Sequence, residues 1–194
     1  MKKSQFFIFI LIFVPQLLFS QIKYEKESRI KRNDVPAKAL NFIDTCFVAK
    51  NVYWVYETNL NNKHSIEAKT KHLGEKFSIE FDTLGNIQDV ELDIEFVGIP
   101  EKQRLEIIKN IEKEFSKYKF KEIQIQWLGN HKAQFELIKT RKTSENYTQN
   151  YEIVIVGNKN KKQAYFELLF NADGSLLKEV EIIENNNDNL EFQK

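Results

Sequence analysis

The sequence predicts an α+β chain of two tandem modules, each a helix packed on an antiparallel β-sheet meander. Three observations predict it: an internal repeat, a proline at the start of each helical stripe, and hairpin links too short for parallel strands. The repeat aligns Phe77-Ser78-Ile79-Glu80-Phe81-Asp82-Thr83-Leu84-Gly85-Asn86-Ile87 with Phe166-Glu167-Leu168-Leu169-Phe170-Asn171-Ala172-Asp173-Gly174-Ser175-Leu176. Both have alternating apolar positions, a polar turn with glycine in the same place, and an apolar restart.

In the first copy Pro36 takes the first helical position, where its missing N–H costs nothing. Ala39, Leu40, Ile43, Cys46 and Phe47 then recur at helical spacing. Strand-like runs follow at 52–58, 64–71, 76–82 and 87–96. Their links, Asn61-Asn62-Lys63, Leu73-Gly74 and Thr83 to Asn86, carry the Asn and Gly of tight hairpins. In the second copy Pro100 opens a helix to about 117, striped by Leu105, Ile108, Ile111 and Phe115. Strands are expected near 121–127, 132–140, 150–157, 163–170 and 175–183. Residues 128–149 are extra relative to the first copy.

The N-terminus has the layout of a secretory signal peptide: Lys2 and Lys3, then nine apolar residues from Phe6 to Val14, then Pro15 and a small Ser20. A spanning helix needs about 20 apolar residues, so export and cleavage near Ser20 are expected, with a mature protein in the periplasm or secreted. This divides the chain into a signal peptide at 1–20, a lead-in at 21–29, modules at 30–97 and 98–184, and a polar tail at 185–194. Loss of Lys2 and Lys3 turns 29 basic and 28 acidic residues into a formal charge of −1. So near-neutral a chain has no electrostatic footprint for nucleic acid, and no membrane insertion is expected after cleavage. The single Cys46 excludes an internal disulfide and reads as a buried thiol.

No catalytic constellation is legible. The three histidines are His64, His72 and His131, and the first two would stand roughly 25 Å apart at the ends of one strand. There is no nucleophile elbow, phosphate loop or zinc motif, so no cofactor, metal or catalytic residue is expected. Asp89, Glu91, Asp93 and Glu95 alternate with Val90, Leu92, Ile94 and Phe96, which reads as the solvated face of an amphipathic strand rather than a calcium site.

An x-Pro helix start, the aromatic strand Tyr53-Trp54 and a strand–Phe-Asp-x-x-Gly–strand ending resemble the PepSY-like, beta-lactamase-inhibitor-like domain of exported Gram-negative proteins. The second copy resembles it more, through Tyr151-Glu152-Ile153, Phe166 to Phe170, Asp173-Gly174 and Glu181. The resemblance implies a binding or inhibitory module without catalytic residues.

Candidate binding residues are therefore aromatic and apolar strand positions. Tyr53, Trp54 and Tyr56 share a strand apolar on both faces. Val154, Val156, Tyr165, Leu169 and Leu177 form an apolar face in the second copy where the first has Ser65, Glu67, Lys69, Ser78 and Glu80. That face is either core, covered by the rest of the chain or a second copy of it, or a partner patch with Tyr165 as anchor. The expected partner is a protein; the alternative is a small ligand or envelope component in a cleft between the modules, near Trp54 and Tyr56.

Overall fold

A computed structural model describes residues 21–23, 25–47, 51–59 and 63–183. The expected signal peptide and polar tail lie outside the described residues. The strands are β1 (Gln21–Lys23), β2 (Glu25–Arg29), β3 (Val52–Asn59), β4 (His64–His72), β5 (Glu75–Asp82), β6 (Ile87–Asp93), β7 (Tyr118–Gly129), β8 (Tyr147–Lys159), β9 (Lys162–Asn171) and β10 (Leu176–Ile182). The helices are α1 (Ala37–Cys46), α2 (Glu101–Glu114) and α3 (His131–Thr140). None is long and apolar enough to cross a membrane among the described residues.

All strands join one sheet in the order β1-β10-β9-β8-β7-β6-β5-β4-β3-β2. From β2 to β10 the pairing is antiparallel, and β1 adds to β10 in parallel. The two halves of the chain are continuous across β6 and β7, where Val90 sits opposite Trp127.

The two ends of this order are the two ends of one short segment. Lys23 and Glu25 are two residues apart, at most about 7 Å. In a flat ten-stranded sheet the edges would be roughly 40 Å apart. The sheet therefore closes on itself, with residues 21–29 as the seam: the first part pairs with β10, the second with β3. Gln21 is opposite Val180 and Arg29 opposite Val55.

Cross-strand pairing sorts the side chains onto two faces. Trp54, Ala68, Ile79, Val90 and Trp127 follow one another across successive strands on the face that carries the helices. α1 and α3 pack there over β3–β7, and α2 packs over Tyr151, Ile153, Ile155, Phe166, Leu168 and Phe170. Val55, Glu67, Glu80, Asp89 and Leu128 run along the opposite, inner face. Closure shelters that face in part, with no helix over it among the described residues. Val55 is 1% exposed and Val180 2%, yet neither belongs to the helix-side cores. Ser65, Glu67, Asp89, Gln124, Gln126, Asn150 and Glu167 are buried on the same inner face. Asp89 therefore lines the barrel interior, and the solvated position expected for it is corrected, while Glu91 and Asp93 stay partly exposed and Glu95 lies exposed beyond β6: a period of two reports which face a residue is on, not whether that face is wet.

Two further expectations are corrected. Residues 132–140 are helix α3, not a strand. Ala133, Gln134, Leu137 and Ile138 bury one helical face, and the Asn130 side chain accepts from the Ala133 N–H at 2.8 Å as an N-cap. Its C-terminus is tied down by Arg141, whose guanidinium bonds the Leu137 carbonyl and Glu75 and lies over Phe77 and Trp127. Leu105 is exposed on α2; Ile107, one turn before Ile111, faces the core instead. The lead-in carries the strands β1 and β2.

The repeated turns make the same bonds. Asp82 N–H donates to the Asn86 carbonyl, and the Asp82 carboxylate accepts from the Leu84 and Asn86 N–H groups. Asn171 donates to Ser175 and accepts from the Asp173 and Ser175 N–H groups. Gly85 and Gly174 adopt φ of +81° and +87° and abut α1 and α2; a Cβ on Gly174 would come 2.8 Å from the Gln103 carbonyl oxygen. Gly174→Ala should therefore cost roughly 1–3 kcal/mol, backbone strain plus collision. Gly74 has φ +91° but open space, so Gly74→Ala should cost less. Urea unfolding of the two variants checks the difference.

Candidate binding site at the barrel mouth

Lys117 directly precedes β7, which begins Tyr118-Lys119-Phe120-Lys121 with a bulge between Phe120 and Glu122. Phe120 faces Ile155 on the helix side, so Lys119, opposite Val156, is on the inner face. Val156 is in turn opposite Tyr165 on β9. Bulges at barrel rims re-aim side chains, and this one leaves Lys121 with its Nζ 5.8 Å from the centre of the Tyr165 ring. Lys117, Lys119, Lys121, Val156 and Tyr165, with Tyr118, Asn158 and Gln163, enclose a cleft of about 340 Å³. It stands at the end of the barrel where β7 and β9 begin and β8 ends.

The wall below the mouth is polar, and most of its amides and carboxylates pair with one another. Asn150 donates to the Gln126 carbonyl at 3.0 Å and Gln126 to Asp89 at 3.2 Å. Gln124 donates to Asp93 at 3.0 Å. Burial, reinforced by the Asp93 charge, pushes the Glu122 carboxyl up. Burial likewise pushes the Tyr118 phenol up, with Glu112 adding to it.

Toward the seam, Glu27, Glu57 and Glu67 bring carboxylate oxygens within 4.8 Å of one another. Lys69 shares this cluster, its Nζ 2.9 Å from Glu67 and 3.4 Å from Glu27. Ser65 donates to Glu57 at 3.1 Å. Burial alone would lower the Lys69 pKa, but Glu67, Glu27 and Glu57 together hold it above the ordinary lysine range. The ammonium supplies the positive charge these carboxylates need, so the group is an internal ion cluster.

The histidines and the thiol are engaged in packing. His64 stacks on Tyr56 with ring centres 5.3 Å apart, His72 meets Phe47 edge-on at 5.6 Å, and His131 meets Phe42 at 4.9 Å. Cys46 is fully buried in the helix-side core, and burial pushes its thiol up to about 12.

The structure divides the sequence-derived candidates. Val154, Val156, Tyr165 and Leu169 share the half-buried inner face of β8 and β9, interleaved with Glu152 and Glu167. Leu177 falls at the bulge between Leu176 and Lys178 and is 56% exposed. Trp54 is core, 3% exposed and 6.2 Å from the Phe81 ring centre, so it cannot offer a surface. Tyr56 is on the helix face, whereas Tyr53 is on the inner face, 44% exposed under the Arg29 guanidinium. The lysines of the mouth were not among the candidates. Their alternation from 117 to 121 was visible, but the strand was expected to begin only at 121.

No protein-family model matches the chain, and no curated protein is similar to it in sequence. Solved structures are similar in fold. The fold resembles that of a DUF2874 family protein from Bacteroides ovatus ATCC 8483. The two superpose with a TM-score of 0.51 at 10% identity, over 76% of this chain and 87% of the other. A BLIP-like protein from Bacteroides fragilis NCTC 9343 gives a TM-score of 0.49 at 11% identity, over 80% and 92%. At such identities the DUF2874 likeness is one of fold.

Proposed function

We propose that this chain is an exported, non-enzymatic module that binds a protein partner at the mouth of its barrel. The observation that carries the reading is the open cleft of about 340 Å³ beside the half-buried Tyr165 and Val156. Barrel mouths are recurrent binding positions, and aromatic side chains with exposed faces are recurrent anchors. The signal-peptide layout of residues 1–20 supports export. The matched turns at 82–86 and 171–175, with helix starts at Pro36 and Pro100, support descent from a duplicated PepSY-like unit. The alternative, a small ligand or envelope component, is favoured by the same volume, which suits a compact ligand. A site between the halves at Trp54 is set aside because Trp54 is core.

Tyr165→Glu tests the reading. The ring is half-buried at a rim, so the variant should melt within a few degrees of the parent while losing most of its partner binding. Thermal melting and quantitative recovery of a partner from an envelope extract, on the same preparation, check it. A melting temperature lowered by 10 °C or more would make Tyr165 part of the barrel wall and remove it from the site.

A further inference from the structure

We propose that the mouth of the barrel receives a short acidic segment of a partner protein, its carboxylates paired with Lys117, Lys119 and Lys121. This rests on the binding reading above and names the chemistry of the partner. The first support is the state of the lysines. Elsewhere in this half of the chain some lysines are paired, Lys109 with Glu106, Lys159 with Glu114 and Glu179, and Lys162 with Glu181. Scattered ones such as Lys102 and Lys161 make no ion pair among the described residues. The three at the mouth differ in standing together around one cleft. Lys117, Lys119 and Lys121 make no ion pair among the described residues, and all three are exposed. Among the described residues the Lys121 ammonium lies over the face of Tyr165.

The second support is spacing. Alternate residues of a strand repeat every roughly 6.6 Å, and so do alternate residues of an extended peptide. Acidic residues at every second position of a bound segment would meet Lys117, which directly precedes β7, and Lys119 at that spacing; Lys121 stands at the bulge, turned over Tyr165. The residue between them would turn toward Val156 and Tyr165, where an apolar or aromatic side chain fits.

The third support limits the ligand's extent. Glu112 acts on Tyr118 at one side of the cleft, and Glu122 follows the bulge on the other. A long uniform polyanion would run onto these carboxylates; a short acidic stretch would end before them.

The test uses the chain from residue 21 and a fluorescein-labelled peptide of alternating Glu and Val with a central Tyr. A peptide with Gln for every Glu is the control, and dextran sulfate the competing polyanion. Anisotropy at 50 mM salt should show the acidic peptide binding at least tenfold more tightly than its Gln counterpart, weakening as salt rises to 300 mM. The triple variant Lys117→Gln, Lys119→Gln, Lys121→Gln should melt like the parent and lose at least tenfold in affinity. Should the triple variant melt early, Lys119→Gln alone should still weaken the acidic peptide measurably. Equal binding of the two peptides, or undiminished binding by the variants, would overturn the proposal. Dextran sulfate binding more tightly than the peptide through the same lysines would overturn it in favour of an anionic glycan. If the triple variant retains a natural partner that Tyr165→Glu loses, the binding reading stands and the acidic segment falls. If neither variant alters binding of that partner, both fall.

Discussion

Deleting residues 21–29 should unfasten the barrel and destabilise it by on the order of 5 kcal/mol. The segment pairs with two strands at once, so its loss removes both seams and leaves β3 and β10 as open edges. Each ladder hydrogen bond contributes roughly 1 kcal/mol net, and exposing a buried valine costs roughly 1.5 kcal/mol. Val55 and Val180 are the valines at stake, since no helix covers them. Urea denaturation of the shortened chain gives the size of the loss. The newly bare edges should also promote association, measurable by light scattering. A shortened chain as stable and as monomeric as the parent would mean that the sheet holds without its seam.

Lys69→Met should cost about 1–2 kcal/mol at neutral pH, less than breaking a fully buried pair because the Lys69 side chain is 42% exposed, since it removes the cation beside Glu27 and Glu67. Its pH dependence separates this cause from lost packing. In the parent, the folded pKa of Lys69 is raised, so its contribution is intact below its unfolded value of about 10.4 and fades as the pH rises through the folded value. In the variant the carboxylates gain raised folded pKa values. Their penalty is absent below about pH 4, where they are protonated in both states, and grows as the pH rises. The gap between parent and variant should therefore narrow in acid. A gap of constant size between pH 4 and 8 would point to the lost lysine stem instead.

Local signals were legible in the sequence wherever local chemistry decides the outcome. Pro36 and Pro100 mark α1 and α2 because proline suits a first turn, and the Gly85 and Gly174 turns stand where a positive φ beside a helix is required. The stretch from Ala133 to Ile138 was ambiguous: Ala133, Phe135 and Leu137 alternate like a strand, while Ala133, Leu137 and Ile138 suit a helix. The cap at Asn130 decides between them. Closure was hidden for a different reason. Gln21–Arg29 is rich in charge and shows no apolar stripe, and its partners are remote in sequence, so nothing local marks it as strand. With closure unseen, Glu67 and Asp89 read as solvent-facing residues. The apolar half of the site, Val156 and Tyr165, was found from alternation; its lysines required the start of β7 and the bulge.

The seam also governs the order in which the molecule can assemble. Gln21 meets Val180, nearly the whole chain away, whereas every other strand from β3 to β10 has a neighbour one hairpin or one helical excursion distant. Hairpins close in microseconds, but a contact between remote residues carries the entropy of a very large loop until the intervening chain is ordered. The first of the strands to be made is thus the one whose second partner is made last. It must stay unpaired on that side, polar enough not to aggregate, until β10 is in place. The Glu and Lys content of Glu25–Arg29 suits that wait. In refolding followed by pulsed hydrogen exchange, amides of Gln21–Lys23 should gain protection after those of β4 and β5, making barrel closure the slow, final step.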